Sequence, residues 1–402
     1  MGGQRTGTTR DMAGAPKSGP IPRYETVALV LQGGGALGAY QAGVYQALHE
    51  AGIRPNWFAG ISIGAVNAAI MAGNAPERRI ARLREFWETV SRSPLFPADV
   101  MVPELTRLVP GSDDFRPVAN LWSAASAIMG GQAGFFAPRM PPPWLHPPGA
   151  DGATSFYDTA PLRATLERLI DFDRLNSGEA RVSVGAVNVR SGNFVYFDSK
   201  EMPVGVEHVM ASGALPPGFP GIEIGGEVYW DGGVVSNTPL AFVLESTPRR
   251  DTLAFQVDLW SARGTVPDTV FDVLQRQKDI QYSSRTRMVT DTALEKQRMR
   301  RVISDLIGKL PPELRKDPAI QKARSFGCDK VYNVVHLIYH SKAYELQSKD
   351  YEFSFASMTE HWEAGLVDAR RTLANPRHLE RPSAETGVVT HDVHRSEGAR
   401  KT

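Results

Sequence analysis

The most constraining stretch of the chain runs from Val27 to Ala69, VALVLQGGGALGAYQAGVYQALHEAGIRPNWFAGISIGAVNAA. Val27 to Leu31 is a short apolar run rich in branched residues, which predicts a buried strand. It ends in Gly33-Gly34-Gly35-Ala36-Leu37-Gly38, and a helical pattern follows to about Gly52. A second apolar piece, Trp57 to Ala59, runs into Gly60-Ile61-Ser62-Ile63-Gly64. Small residues from Ala65 to Ala72 then predict another helix. Strand, glycine turn, helix, strand, G-x-S-x-G, helix is the order in which G-x-S-x-G marks a nucleophile elbow.

The physics of an elbow explains the residue types. A serine on a sharp strand-to-helix turn projects its hydroxyl into the open. Gly60 and Gly64 carry no side chain, so neighbouring segments approach closely. The helix that starts there turns its free N–H groups and positive dipole end toward Ser62. The bare N–H groups of Gly33, Gly34 and Gly35, with that of Ile63, can converge on an oxygen that turns negative in a tetrahedral intermediate. Gly33, Gly35 and Gly38 also spell the dinucleotide fingerprint G-x-G-x-x-G. That use expects an acidic residue ending the second strand, to hold a ribose hydroxyl. Pro55-Asn56-Trp57-Phe58-Ala59-Gly60 has none, which argues against NAD(P) or FAD.

The 402 residues are 42% hydrophobic, ample for a large core. With 45 Lys and Arg against 44 Asp and Glu, net charge gives no reason to expect nucleic acid. Cys328 is the single cysteine, so no intrachain disulfide can form, which suits a reducing compartment. The first residues have no apolar h-region of a signal peptide, and no run reaches the roughly 18 apolar residues of a membrane helix. A cytoplasmic protein is expected, at most peripheral at a membrane surface.

Residues 1 to about 23 read as a disordered basic tail. Pro76 to Val90 is an amphipathic helix. From 91 to 160 the chain is proline-rich, too much so for regular elements. It also carries Phe135, Phe136, Trp144 and Leu145, read as exposed residues of an insertion that caps the site or dips into a lipid surface (residues 134–149), or as a packed surface loop. Val182 to Val189 and Asn193 to Phe197 flank a short Gly turn and predict a hairpin. Ile222-Glu223-Ile224 and Val228-Tyr229-Trp230 predict a second one. That hairpin delivers Asp231-Gly232-Gly233. An Asp at a strand end can reach back to a serine on a neighbouring strand end, where the sites of open α/β sheets gather.

Four motifs in this order resemble the patatin-like phospholipase (lipid acyl hydrolase) family, bacterial type. They are Gly33-Gly34-Gly35-Ala36-Leu37-Gly38, Gly60-Ile61-Ser62-Ile63-Gly64, Ala211-Ser212-Gly213-Ala214-Leu215-Pro216 with Phe219-Pro220, and Asp231-Gly232-Gly233. Gly233 stands where Ala is frequent in the family. The resemblance covers about Val27 to Leu244. It implies a three-layer α/β/α sandwich with a central, mostly parallel sheet, Ser62 as nucleophile, Asp231 as general base and the glycine loop as oxyanion hole. It also implies hydrolysis of carboxylic esters in phospholipids and other acyl lipids, with no metal or organic cofactor. Transient contact with a membrane surface or lipid droplet goes with such a substrate. Two alternatives stay open: an esterase for a neutral lipid or storage polyester, and a catalytically silent lipid binder.

The boundaries expected are an acyl hydrolase domain over 24–260 and a mainly helical C-terminal extension with one strand over 261–375, with a disordered tail over 376–402. Within the extension, Val270 to about Ile307 reads as one long helix, Pro311 to Phe326 as a short one, and Val331 to His340 as a strand. Ser357 to Leu373 reads as a last amphipathic helix. Alternation along 331–340 puts His336 and His340 on one face and Asn333 on the other. His336 is therefore the candidate for a Ser…Asp…His triad, the rival of the dyad. Arg298, Arg300 and Arg301 are either a headgroup-binding cluster or a solvated helix face.

Overall fold

The computed structural model describes residues 23–92 and 116–392, apart from 343, 344 and 346. The N-terminal tail and the prolines at 94, 97, 103 and 110 lie outside the described residues. In chain order the strands are β1 (Thr26–Leu31), β2 (Trp57–Ile61), β3 (Ala137–Pro138), β4 (Tyr157–Asp158), β5 (Arg181–Asn188) and β6 (Phe194–Asp198). They continue with β7 (Ile222–Ile224), β8 (Glu227–Asp231), β9 (Thr252–Asp258), β10 (Tyr332–Ile338) and β11 (Val388–Asp392). Nine form one sheet in the order β11-β10-β9-β1-β2-β5-β8-β7, with β6 also on β5. From β11 to β5 every pair is parallel; β6, β7 and β8 are antiparallel.

Both faces of the parallel part are covered, as such sheets require. Leu29 and Leu31 of β1 face helices α1 (Ala39–Glu50), α2 (Ile63–Ala72) and α3 (Arg79–Val90), with the helix Phe355–Leu373 beside them. Ala28 and Val30 face the other way, toward Leu240, Val243 and Leu244, with Val289, Ala293 and Leu294 of the helix Thr286–Lys309 outside them. The result is the three-layer α/β/α sandwich, with a largely helical C-terminal region.

The C-terminal region departs from expectation in three places. The long helix breaks at Ser283 into Val270–Tyr282 and Thr286–Lys309, because the Tyr282 carbonyl is drawn in to accept from Gln32 and Asn237. The chain beyond Asn375 is ordered through Asp392: Pro376–Leu379 is a 3-10 turn, and Val388 and Val389 let β11 pair on β10. His340 lies past the end of β10 and is exposed, so strand alternation does not place it beside His336. In the proline-rich insertion the structure contains a regular helix, Arg116–Gly130. Its stretch Val118 to Gly130 has no proline, only small and apolar residues with three polar ones, Asn120, Ser123 and Ser126, and Pro117 falls in the first turn.

The last helix is fastened to α1 by two glycines. A Cβ on Gly43 would sit 1.9 Å from the Trp362 carbonyl oxygen, and one on Gly365 would sit 2.0 Å from that of Tyr40. The backbones touch, and Trp362 Nε1 donates to Gln46 at 2.7 Å beside the crossing. Gly43→Val is expected to force the helices apart and lower unfolding stability by about 3 kcal/mol, read from urea denaturation. A loss under about 0.5 kcal/mol is within the range of an indifferent surface change and would mean the crossing is not close.

Candidate active site

Strand β5 measures out the site. Its residues Arg181 to Gly185 pair with β2, and Ser183 to Val187 pair with β6. These spans overlap, so β2 and β6 occupy opposite edges of β5. β8 pairs with Ala186 to Asn188, overlapping β6, so it continues the edge that β2 leaves. Ile61, the last residue of β2, is opposite Gly185, and Asp231, the last of β8, is opposite Ala186. Two strands running in opposite directions thus end head to head. Ser62 follows one end and Asp231 is the other.

Ser62 has φ 55° and ψ −125°, the only positive φ of a non-glycine residue among the described residues. Such strain persists only where the surroundings fix it. A Cβ on Gly64 would lie 2.4 Å from the Leu31 carbonyl oxygen, and one on Gly60 would lie 2.2 Å from that of Gly64. The turn is clamped between backbones that only glycine permits. The Ser62 N–H donates to Ser212 Oγ at 3.0 Å, and that hydroxyl donates to the Gly185 carbonyl at 2.6 Å. Ser212 belongs to the Ala211–Pro216 motif, and these two bonds make it the residue that fixes the elbow.

The Ser62 hydroxyl hydrogen-bonds the Asp231 carboxylate, whose Oδ1 also accepts the Gly233 N–H at 2.7 Å. Asp231 is almost fully buried. Burial disfavours its charged form and pushes its pKa up to about 7, against the smaller opposing effects of these two hydrogen bonds.

The glycine loop approaches from the other side. Gly33, Gly34 and Gly35 line the same cavity as Ser62, Ile63, Asp231 and Gly233. The Gly33 N–H already donates to the Asn237 carbonyl, at 3.3 Å. Among the described residues nothing holds the N–H groups of Gly34, Gly35 or Ile63. Gly38, whose Cβ would press on Ile63 and Trp87, and Gly232, whose Cβ would press on the Gly185 carbonyl, act by close packing. Sequence reasoning missed the residues that hold the loop. Asn237 Nδ2 donates to the Gly33 carbonyl at 3.0 Å, and Trp260 Nε1 does so at 2.9 Å. Gln32, fully buried, accepts from the N–H groups of Leu259 and Trp260. A polar residue ending an apolar strand was the one available signal, and Gln32 carried it.

The cavity measures about 340 Å³, the size of a small-ligand site. Its wall is apolar: Val66, Leu162, Phe135, Phe136, Phe219 and Phe353. Of the two readings of Phe135 and Phe136, exposed or packed, the packed one holds: both are buried. They pack edge-on against Phe353, with ring centroids 5.6 and 6.4 Å away, and against Phe219. Trp144 and Leu145 do remain on the surface. His336 stands three strands from β2, buried, with Nε2 2.5 Å from Asp258 Oδ2, and it does not line the cavity. None of Arg298, Arg300 and Arg301 lines it either, and Arg301 donates to the Asp329 carbonyl.

A strained serine at the carboxyl edge of a parallel sheet, behind an apolar cavity, belongs to the hydrolases that attack acyl groups. The comparisons narrow this class. The chain belongs to the patatin-like phospholipase family, whose sequence profile matches residues 29–244, over half its length. A second profile, described as patatin phospholipase, matches residues 280–385 in the C-terminal region. Family membership makes lipid hydrolysis the general activity. No curated protein sequence matches significantly. Among solved structures, VipD from Legionella pneumophila is 16% identical with a TM-score of 0.36, over 87% of this chain and 67% of its own. The type III effector ExoU is 15% identical with a TM-score of 0.35, over 90% of this chain and 55% of its own, so this chain spans about half of ExoU. Likenesses this weak decide nothing further.

The raised pKa of Asp231 has two consequences of opposite sign. The ionised form, able to take the Ser62 proton, dominates only above about 7. Fluorophosphonate labelling of Ser62 is therefore expected to rise tenfold per pH unit up to about 7 and then level off. A flat profile from pH 5 to 9 would contradict it. In the fold Asp231 keeps its proton to a higher pH than in the unfolded chain, so its contribution to stability declines as pH climbs from about 4 through 7. Asp231→Asn is expected to melt above wild type at pH 9, with a gap that closes toward pH 4 and does not exceed on the order of 4 kcal/mol.

Proposed function

We propose that this protein is a serine acyl hydrolase that cleaves carboxylic esters of acyl lipids through a Ser62–Asp231 dyad. The observation that carries the reading is the hydroxyl of a strained Ser62 on a buried carboxylate of pKa about 7, facing free N–H groups across an apolar cavity.

The chemistry follows from those positions. Asp231 takes the Ser62 proton as Oγ attacks the ester carbonyl carbon. The carbonyl oxygen becomes negative between the N–H groups of Gly34, Gly35 and Ile63, which need no reorganisation to meet it. The intermediate collapses, the C–O bond to the alcohol breaks, and the proton on Asp231 passes to the leaving oxygen. An acyl chain stays esterified to Ser62. Water then loses a proton to Asp231 and attacks the acyl carbon. The second collapse frees the carboxylic acid and returns the proton to Ser62. A carboxylate with an ordinary pKa near 4 would be a poor base for this; one near 7 is matched to neutral pH.

The aromatic wall supports an acyl chain as the part of the substrate held, since Phe135, Phe136, Phe219 and Phe353 offer it rings and no hydrogen-bonding group. The surroundings of the cavity support contact with a lipid surface. Val234 and Val235 follow the lining residue Gly233, Phe355 comes two residues after Phe353, and all three are exposed. Apolar residues exposed beside an apolar cavity suit a bilayer or droplet surface.

Two experiments test this. Ser62→Ala is expected to abolish fluorophosphonate labelling and lower ester turnover by at least about 10⁴-fold, and Asp231→Asn to do nearly as much. Turnover that survives Ser62→Ala would overturn the dyad. Val234→Ser with Val235→Ser is expected to slow hydrolysis of phospholipid vesicles several-fold while sparing a soluble short-chain ester. Equal loss on both would sink the surface-contact reading.

A further inference from the structure

The C-terminal region reaches the candidate site at Tyr282 and through the segment 347–353, whose Asp350, Tyr351 and Phe353 line the cavity. Asp350 accepts the Ala36 N–H on its carbonyl at 2.8 Å. That carbonyl oxygen fills the place of a side chain on Gly35, lying 2.0 Å from where a Cβ would be, and Gly35 has φ +54°. The peptide after Gly35 is therefore fixed by a residue more than 300 positions away. The Asp350 carboxylate is gripped in turn by Lys278, whose Nζ lies 2.7 Å from Oδ1 and 2.9 Å from Oδ2. The same ammonium donates to the Gln347 carbonyl at 3.1 Å and stands over the Tyr351 ring at 5.0 Å.

The next residues repeat the arrangement in reverse. Lys349 Nζ lies 2.7 Å from Asp279 Oδ1 and donates to Ser341 Oγ, also at 2.7 Å. It is almost fully buried and stands 4.9 Å above the Trp260 ring, whose Nε1 holds the Gly33 carbonyl. One pair thus reaches the end of the glycine loop through Asp350 and Ala36, and the other reaches its start through Lys349, Trp260 and Gly33. Charges at 278 and 279 on one helix cross to opposite charges at 350 and 349. Helix Val270–Tyr282 has no fully buried residue; its Tyr282 end packs against the Trp260 ring, centroids 5.4 Å apart, and the ion pairs fasten the turn before it.

We propose that the crossed pairs Lys278–Asp350 and Asp279–Lys349 are positioning residues for ester cleavage, holding the glycine loop so that the N–H groups of Gly34 and Gly35 meet the developing oxyanion. This rests on the Ser62–Asp231 reading and assigns the C-terminal region a part in the same reaction. An oxyanion hole acts only on the transition state, so a loosened loop slows the chemical step and leaves ground-state binding nearly alone.

The test is steady-state kinetics on a soluble short-chain ester, with thermal melting of each variant. Lys278→Met is expected to lower kcat on the order of tenfold to a hundredfold, with KM changed less than about twofold. Fluorophosphonate labelling should slow by the same factor, while its acid limb stays near pH 7 because Asp231 is untouched. The reversed pair, Lys278→Asp with Asp350→Lys, should recover much of what either single reversal loses. A folded Lys278→Met enzyme with kcat within twofold of wild type overturns the proposal, and so does a reversed pair no better than its singles. If Lys278→Met melts below assay temperature, the reversed pair decides alone. Turnover independent of Ser62 would overturn the underlying reading instead, and Ser62→Ala run in parallel separates the two failures.

Discussion

The site depends on the edge of β5 that β2 and β8 share. A parallel and an antiparallel neighbour share that edge, and they stop one residue apart, at Gly185 and Ala186. The dyad of the proposed mechanism follows from that meeting point. It places the residue after β2 beside the residue that ends β8, from strands separated by more than 150 positions. Gly185 is also where the parts touch. Its carbonyl takes the Ser212 hydroxyl that holds the elbow, and the same carbonyl allows nothing larger than glycine at 232. Its own missing side chain makes room for Ile61 and Phe194. A slip of one residue in the β5–β8 register would turn Asp231 to the other face of the sheet.

Much of this was legible in the chain because it is local. An elbow, a glycine loop and two hairpins are each written within a dozen residues, in turn chemistry and period-two runs. The expected fold, three layers with a mostly parallel sheet, was what the resemblance carried by the four motifs implied. The distant arrangements were not legible. Nothing in Ser283 says that the chain must bend there so that Tyr282 can meet Gln32 and Asn237 from elsewhere. Val388 and Val389 are a short apolar step in a polar tail, and only the free edge of β10 makes a strand of them. Phe135 and Phe136 left two readings open, exposed or packed, because proline surrounds them. Their burial depends on Phe219 and Phe353, each far along the chain.

The electrostatics of the cavity also argues for economy. Asp231 receives hydrogen bonds from Ser62 and the Gly233 N–H, and burial outweighs both. No cation among the described residues ion-pairs with it. A nearby Lys or Arg would stabilise the carboxylate and depress its basicity. The charges beside the site are paired with each other: Lys278 with Asp350, Lys349 with Asp279. His336 is consumed in the same way by Asp258. In the proposed dyad the base is a carboxylate whose strength comes from burial and from the lack of an ion-paired cation among the described residues.

On the proposed mechanism, the C-terminal region has a part to play although the chemistry needs few residues. A hydroxyl and a carboxylate can be positioned by one sheet edge, but a glycine loop cannot position itself. Three glycines in a row have the widest conformational freedom a chain can have, and an oxyanion hole works only when its dipoles are fixed beforehand. Side chains cannot fix them, because there are none. Contacts must therefore be made to the loop's own backbone, and they are: Asn237 and Trp260 on the Gly33 carbonyl, Asp350 on the Ala36 N–H. Two of these three groups are tied to the 347–353 segment, directly or through Lys349 over Trp260. The region outside the first family match thereby bears on the least self-sufficient part of the site.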